Sequence, residues 1–181
     1  MEAPEVPTEQ LQDSIQERVT HNAEQWTLGV ALTCALLAGM AAVASMKAGH
    51  YSNEAMALQI ESANQWNYFQ SKSIKETQLK TKVEILSAFG KLPSEADKSK
   101  EAEYDQDKVQ IQKRAEELSR EARHKLHKHH ILAHSVTMFQ IAIAVGAISV
   151  LTRRRLFWFV SLTFGVVGLI FVGQSFWVGP G

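Results

Sequence analysis

Hydrophobic and polar positions fall into two regimes along this chain. Three runs contain no Asp, Glu, Lys or Arg: Trp26 to Met46 (21 residues), Ile131 to Thr152 (22) and Leu156 to Val178 (23). At 1.5 Å rise per residue, about 20 apolar residues match the ~30 Å hydrocarbon core of a bilayer, so each run is long enough to cross one as a helix. Between the first two lie 84 residues, Lys47 to His130, of another kind. There Tyr51, Ala55, Leu58, Trp66, Phe69, Leu79, Val83 and Leu86 recur at helical intervals, with Ser62, Ser73 and Glu76 filling gaps in the stripe.

The breakers place the turns. No proline stands between Lys47 and Gly90, and Gly49 is the only internal glycine, so the first helix is expected to run on past the membrane segment. Gly90 predicts a helix C-cap, Pro93 bars continuation, and Ser94-Glu95-Ala96-Asp97 has the spacing of a capping box. A second helix then carries Tyr104, Ile111, Ala115, Leu118, Ala122 and Leu126 into the second apolar run. Arg153, Arg154 and Arg155 leave room only for a tight turn, which makes the second and third runs antiparallel neighbours.

The expected fold is an all-α integral membrane protein with transmembrane helices at 26–46, 131–152 and 156–178. A long antiparallel helical hairpin, 47–130 with its turn near 90–94, is inserted between the first and second. Residues 1–25 form a tail for which two readings stand, a short amphipathic helix through Leu11, Ile15 and Val19 capped by Thr8 or a frayed acidic segment, and 179–181 form a stub.

Charge and composition narrow the function. The 19 basic and 19 acidic residues balance, and the mean hydropathy of −0.14 averages two unlike regions. Balanced charge argues against a nucleic-acid partner, and one cysteine, Cys34, makes no intrachain disulfide. The tail is acidic with one arginine, Arg18, unlike a signal peptide, so the first span is expected to stay uncleaved. No charged residue lies within a span, whereas proton relays and ion-coupled carriers need them, which argues against a transporter. Gln140 and Gln174 are the most polar span residues and are expected to bond across helices. The arm has no phosphate-cradling loop and no catalytic constellation, so neither an enzyme nor a cofactor is expected. Its (i, i+4) pairs Glu76-Lys80 and Glu121-Lys125 predict a solvated face.

Other residues mark packing and sidedness. Ala31, Ala35 and Gly39 step by four, as do Ala142 and Gly146, a spacing that lets helices approach closely in hydrocarbon. Trp26, Trp158 and Trp177 sit at span ends, where indole rings favour headgroups. Lys and Arg counts near the spans are nearly equal on the two sides. The arm, however, exceeds the ~60 residues beyond which charge ceases to govern translocation, whereas the arginine turn is short and concentrated. The N-terminus and the arginine turn are therefore expected in the cytoplasm, with the arm outside.

Five of the seven histidines, His124, His127, His129, His130 and His134, crowd the junction of arm and second span. His127, His130 and His134 share one helix face, and His50 is expected opposite them. Three readings stand open: a zinc or copper site, a proton-sensing cluster, or imidazoles at headgroup level beside snorkelling lysines.

The run Gln65-Trp66-Asn67-Tyr68-Phe69-Gln70-Ser71-Lys72-Ser73-Ile74-Lys75 after a first span, with Gln140-Ile141-Ala142-Ile143-Ala144 and Leu151-Thr152-Arg153-Arg154 closing a second, carries a resemblance. Over residues 20 to 175 the chain resembles a bacterial inner-membrane family catalogued only as a domain of unknown function. The resemblance implies a bacterial source, three spans and a helical insertion, and supplies no catalytic or binding residues.

The function expected from the pattern is a non-enzymatic, self-associating membrane scaffold or docking protein. Its partners would be lipid, further copies of itself in a homo-oligomer, and a protein on the arm. The arm's sparse stripe, including Trp66 and Phe69, would be completed by coiled-coil-like partner arms. A solvated, loosely paired arm is the plainer alternative. An oligomeric channel lined by Thr33, Ser45, Ser149 and Ser161 is the other class.

Overall fold

The structure, a computed structural model, describes the backbone of residues 8–92 and 94–177 and the side chains of 25–92 and 94–177. Among these the chain is helical throughout, with no strand: α1 (Thr8–Ala88), α2 (Glu95–Thr152) and α3 (Arg155–Trp177). Each contains a stretch long and apolar enough to cross a membrane. The expected short tail helix is not separate. From Thr8 to Leu28 there is no glycine or proline, so nothing interrupts α1 before the first apolar run. The side chains of Leu11, Ile15 and Val19 lie outside the described residues.

Both turns rest on a left-handed residue. Gly90, at φ 69°, ends α1: Lys91 N donates to Leu86 O at 2.9 Å and Gly90 N to Ser87 O at 2.9 Å, the paired bonds of a Schellman cap. A Cβ there finds open space but still meets the left-handed penalty. Gly90→Ala is expected to lose about 1 kcal/mol, read as a lower midpoint for the helical signal in detergent. Ser94 Oγ then accepts from Ala96 N at 3.2 Å to start α2. The second turn is narrower than 153–155. Arg153, at φ 51°, and Arg154 form it, and Arg155 already opens α3.

The chain divides into two compact units, one reaching Lys47 and resuming at Ile131, the other Ala48–His130. In the first, the apolar parts of α1, α2 and α3 pack around Leu37, Ala41, Ala44, Phe139 and Ala142. Helix α3 packs Phe164 and Val172, both partly buried, against this core. Its buried residues are Ser161, Gly165, Gly168 and Ser175, all small. A Cβ added at Gly168 would stand 2.6 Å from Phe139 Cε1, and one at Gly165 would stand 3.0 Å from Leu37 Cδ2. Large side chains of α1 and α2 thus fill notches in α3, which gives close contact between the helices. Ser161 Oγ donates to Ala142 O at 2.6 Å and Trp158 Nε1 to Thr33 Oγ1 at 3.3 Å, tying α3 to both neighbours.

In the second unit α1 and α2 run side by side with opposite sense. Ser62 meets Ala115, Lys72 meets Asp107, Glu76 meets Lys108, and Lys82 meets Asp97. Ala48, Ala55, Ser62 and Glu76 are buried on α1 at multiples of seven, against Ile111, Ala115, Leu118 and Ala122 on α2. Small residues let the backbones close up until Ser62 Oγ donates to Ala115 O at 2.8 Å. Short seam residues therefore pack well here, because each gap is filled by the facing helix rather than by a long side chain.

Candidate functional site

The polar seam of Ala48–His130 is built in steps. Lys72 sits between the rings of Tyr68 and Tyr104, 5.5 and 5.2 Å from their centroids, and donates to Asp107 at 2.6 Å. Glu76, only 5% exposed, accepts from Lys80 at 2.6 Å and from Lys108. Those two lysines hold its carboxyl below the usual glutamate range, Lys108 most strongly, and the same bonds raise both ammonium groups. Lys82 donates two bonds to Asp97, at 2.8 and 3.0 Å, and holds that carboxyl low, with help from the Ser94 backbone N–H.

At the base of this unit Glu54 gathers the charge. Lys125 Nζ lies 2.9 Å from Glu54 Oε2 and His50 Nε2 lies 3.5 Å from Oε1. Lys125, through its hydrogen bond, keeps the Glu54 carboxyl below its ordinary value. Lys125 and Lys128 also stand over Tyr51, each 5.8 Å from its centroid. The expected Glu121-Lys125 pair gives way to this arrangement, because Lys125 turns across to α1. Glu76-Lys80 is present, but Lys108 joins it; Glu76 is buried in the seam while Lys80 stays half exposed.

The histidines do not assemble as the sequence suggested. His50, His127, His130 and His134 are all exposed, and among the described residues no three His, Cys, Asp or Glu side chains gather where they could hold a metal ion. His129 turns inward instead, its Nδ1 2.9 Å from Ala48 O. The inward positions in this part of α2 are 122, 125, 129 and 132, which puts 127, 130 and 134 on another face. His134 lies near Phe171, ring centroids 6.0 Å apart.

The small residues divide between exposed and buried positions. Ala31, Ala35 and Gly39 are exposed, and Gly39 has nothing within 4 Å of an added Cβ; α1 packs instead through Val30, Leu37, Ala41 and Ala44. Ala142 and Gly146 are buried, and a Cβ at Gly146 would stand 2.6 Å from Cys34 Sγ. Gln140 and Gln174 are exposed rather than aimed at a neighbouring helix. Trp158 is drawn into helix packing, whereas Trp177 is fully open. Among the hydroxyls of the channel reading, Ser149 and Ser161 are buried within the chain and Thr33 donates to its own Val30 O. Arg153, Arg154 and Arg155 are all exposed.

One surface of the second unit stands apart. On α1, away from the seam, Met56, Ile60 and Ile74 are exposed, with Ile60 at 57% and Ile74 at 59%. Trp66 sits at the edge of this face, stacked edge-on against Phe69 with centroids 5.6 Å apart. From Ala55 to Ile74 the only charged residues are Glu61 and Lys72, and Lys72 is folded into the seam. The corresponding stretch of α2 is densely charged. This face went unread in the sequence because it follows a second stripe of sparse apolar residues, Met56, Ile60 and Ile74, out of phase with the seam.

A helical chain of this kind, with three helices long and apolar enough for a membrane and a paired charged stretch between two of them, defines a class rather than a chemistry. The family model described as "Domain of unknown function (DUF4337)" matches residues 26–178, and the chain belongs to that family. No curated protein and no solved structure matches it.

Proposed function

We propose that the protein is a non-enzymatic, self-associating scaffold of a bacterial inner membrane. Three spans anchor it, and an extramembrane antiparallel hairpin, residues 47–130, docks with other copies. The observation that supports this most directly is the exposed, almost uncharged α1 face around Met56, Ile60 and Ile74. A solvated helical arm has no use for such a face, since water favours charge there, while a second helix laid on it would bury the exposed apolar groups. The arm's own seam is already filled, so the partner sits on the outer face and not in the seam. This moves the association site from Trp66 and Phe69 to Ile60 and Ile74, with Trp66 at its margin. The N-terminus and arginine turn lie in the cytoplasm under this reading, and the arm on the opposite side.

Cross-linking tests it. In a Cys34→Ala background, Ile60→Cys and Ile74→Cys are expected to form disulfide-linked dimers on mild oxidation in membranes, and Gln112→Cys, exposed on α2, is not. Equal cross-linking from all three positions, or none from Ile60→Cys and Ile74→Cys, overturns the docking face. The Gln112→Cys chain also reports sidedness, because a membrane-impermeant thiol reagent applied to intact cells labels it only if the arm lies outside.

A further inference from the structure

Within the membrane unit a groove of about 520 Å³ opens between α1 and α3. Ala35, Gly39, Met40 and Val43 of α1 line it together with Val172 of α3 and Leu132 of α2, and Lys47 and Phe176 line it at the charged end of the apolar run of α1. From Ala35 to Lys47 is twelve residues, about 18 Å of helix, close to the ~15 Å depth of one leaflet's hydrocarbon. Lys47 is held at that end, its Nζ 4.7 Å from the Phe176 ring centroid. No carboxylate among the described residues pairs with it.

We propose that this groove is a binding site for an anionic phospholipid, one acyl chain lying along Ala35 and Gly39 and the phosphate meeting the Lys47 ammonium. Three features point to this occupant. The groove is apolar along its length and carries one cation at the depth where a lipid phosphate sits. Gly39 leaves it open, since an added Cβ there has nothing within 4 Å. A second copy is the competing occupant, because Ala31, Ala35 and Gly39 would let a helix approach. A two-fold contact through this face, however, brings two Lys47 ammonium groups together without a counter-charge, whereas a lipid phosphate supplies it. The site is independent of the docking face on the arm.

The test uses the full chain extracted in mild detergent and offered phosphatidylglycerol and phosphatidylcholine of the same chain length, with retained lipid read by native mass spectrometry. The parent protein is expected to retain phosphatidylglycerol at least several-fold over phosphatidylcholine. Lys47→Gln should bring that ratio to about one. Gly39→Leu fills the groove without touching the packed core, so it should lose both lipids while keeping the parent melting temperature and assembly mass. No preference in the parent, or a preference that survives either variant, overturns the site. If Gly39→Leu changes the assembly mass, the groove holds a second copy and the lipid assignment falls.

Discussion

Gly168→Leu is expected to unpack the three-helix apolar unit, at a cost on the order of 3 kcal/mol. Phe139 is fully buried, and an added Cβ at Gly168 would lie within 2.7 Å of two of its ring carbons. The ring belongs to the buried cluster of Leu37, Ala41, Ala44 and Ala142, so making room for a larger side chain disturbs that cluster. Cys34, half-buried against Gly146, reports the loss directly: a membrane-permeant maleimide should label it faster in the variant than in the parent. The cause can be separated from general damage by a double change. Phe139→Ala alone should also destabilise, by about 3 kcal/mol. Combined with Gly168→Leu it should recover part of both losses, with a coupling of 0.5–3 kcal/mol expected for side chains in direct contact. Strict additivity would show that Phe139 does not fill the Gly168 notch.

Glu76→Ala is expected to weaken the paired stretch of α1 and α2 by roughly 1–2 kcal/mol, because it removes the buried acceptor shared by Lys80 and Lys108. The pH dependence follows from the direction of the shift. The folded-state carboxyl is held below its unfolded value, so its contribution is complete above the ordinary glutamate pKa of about 4.3. It is lost as pH falls below that value and through the folded pKa. The lysine shifts act at the opposite end: their contribution is complete below about 10.4 and fades as pH rises through the raised folded values. Thermal melting of the full chain in detergent should therefore show a plateau across neutral pH and a fall at acid pH. The acid fall should be smaller in Glu76→Gln. Asp97 and Glu54 are depressed in the same way, so the residual acid sensitivity belongs to them.

Much of this architecture was legible because bilayer and water impose opposite rules on charge. Runs free of charge gave the apolar lengths of all three helices, and Gly90, Pro93 and Ser94 gave the turn to within a residue or two. What escaped was phase. In α1 small residues lie on both faces of the apolar run, so four-residue steps through Ala31, Ala35 and Gly39 looked as good as the buried set of Leu37, Ala41 and Ala44. In α3 the decisive positions are glycines and serines, whose packing value depends on Phe139 and Leu37 from other helices. His129 was hidden by four neighbouring histidines. The three- and four-residue steps from Leu118 through Ala122, Lys125 and His129 to Leu132 would have found it. Glu54 was missed because its partner lies 71 positions along the chain, at Lys125.

The mass of the assembly tests the central claim most directly. In density-matched detergent, sedimentation equilibrium of the full chain should give a protein mass that is a multiple of 20.2 kDa, and the chain carrying Ile60→Lys with Ile74→Lys should return to 20.2 kDa while keeping its helical content. Both substitutions sit on an exposed face, so the fold tolerates them. A parent mass of 20.2 kDa at every concentration would contradict self-association. A multiple that the two lysines leave unchanged would contradict the α1 face as its seam.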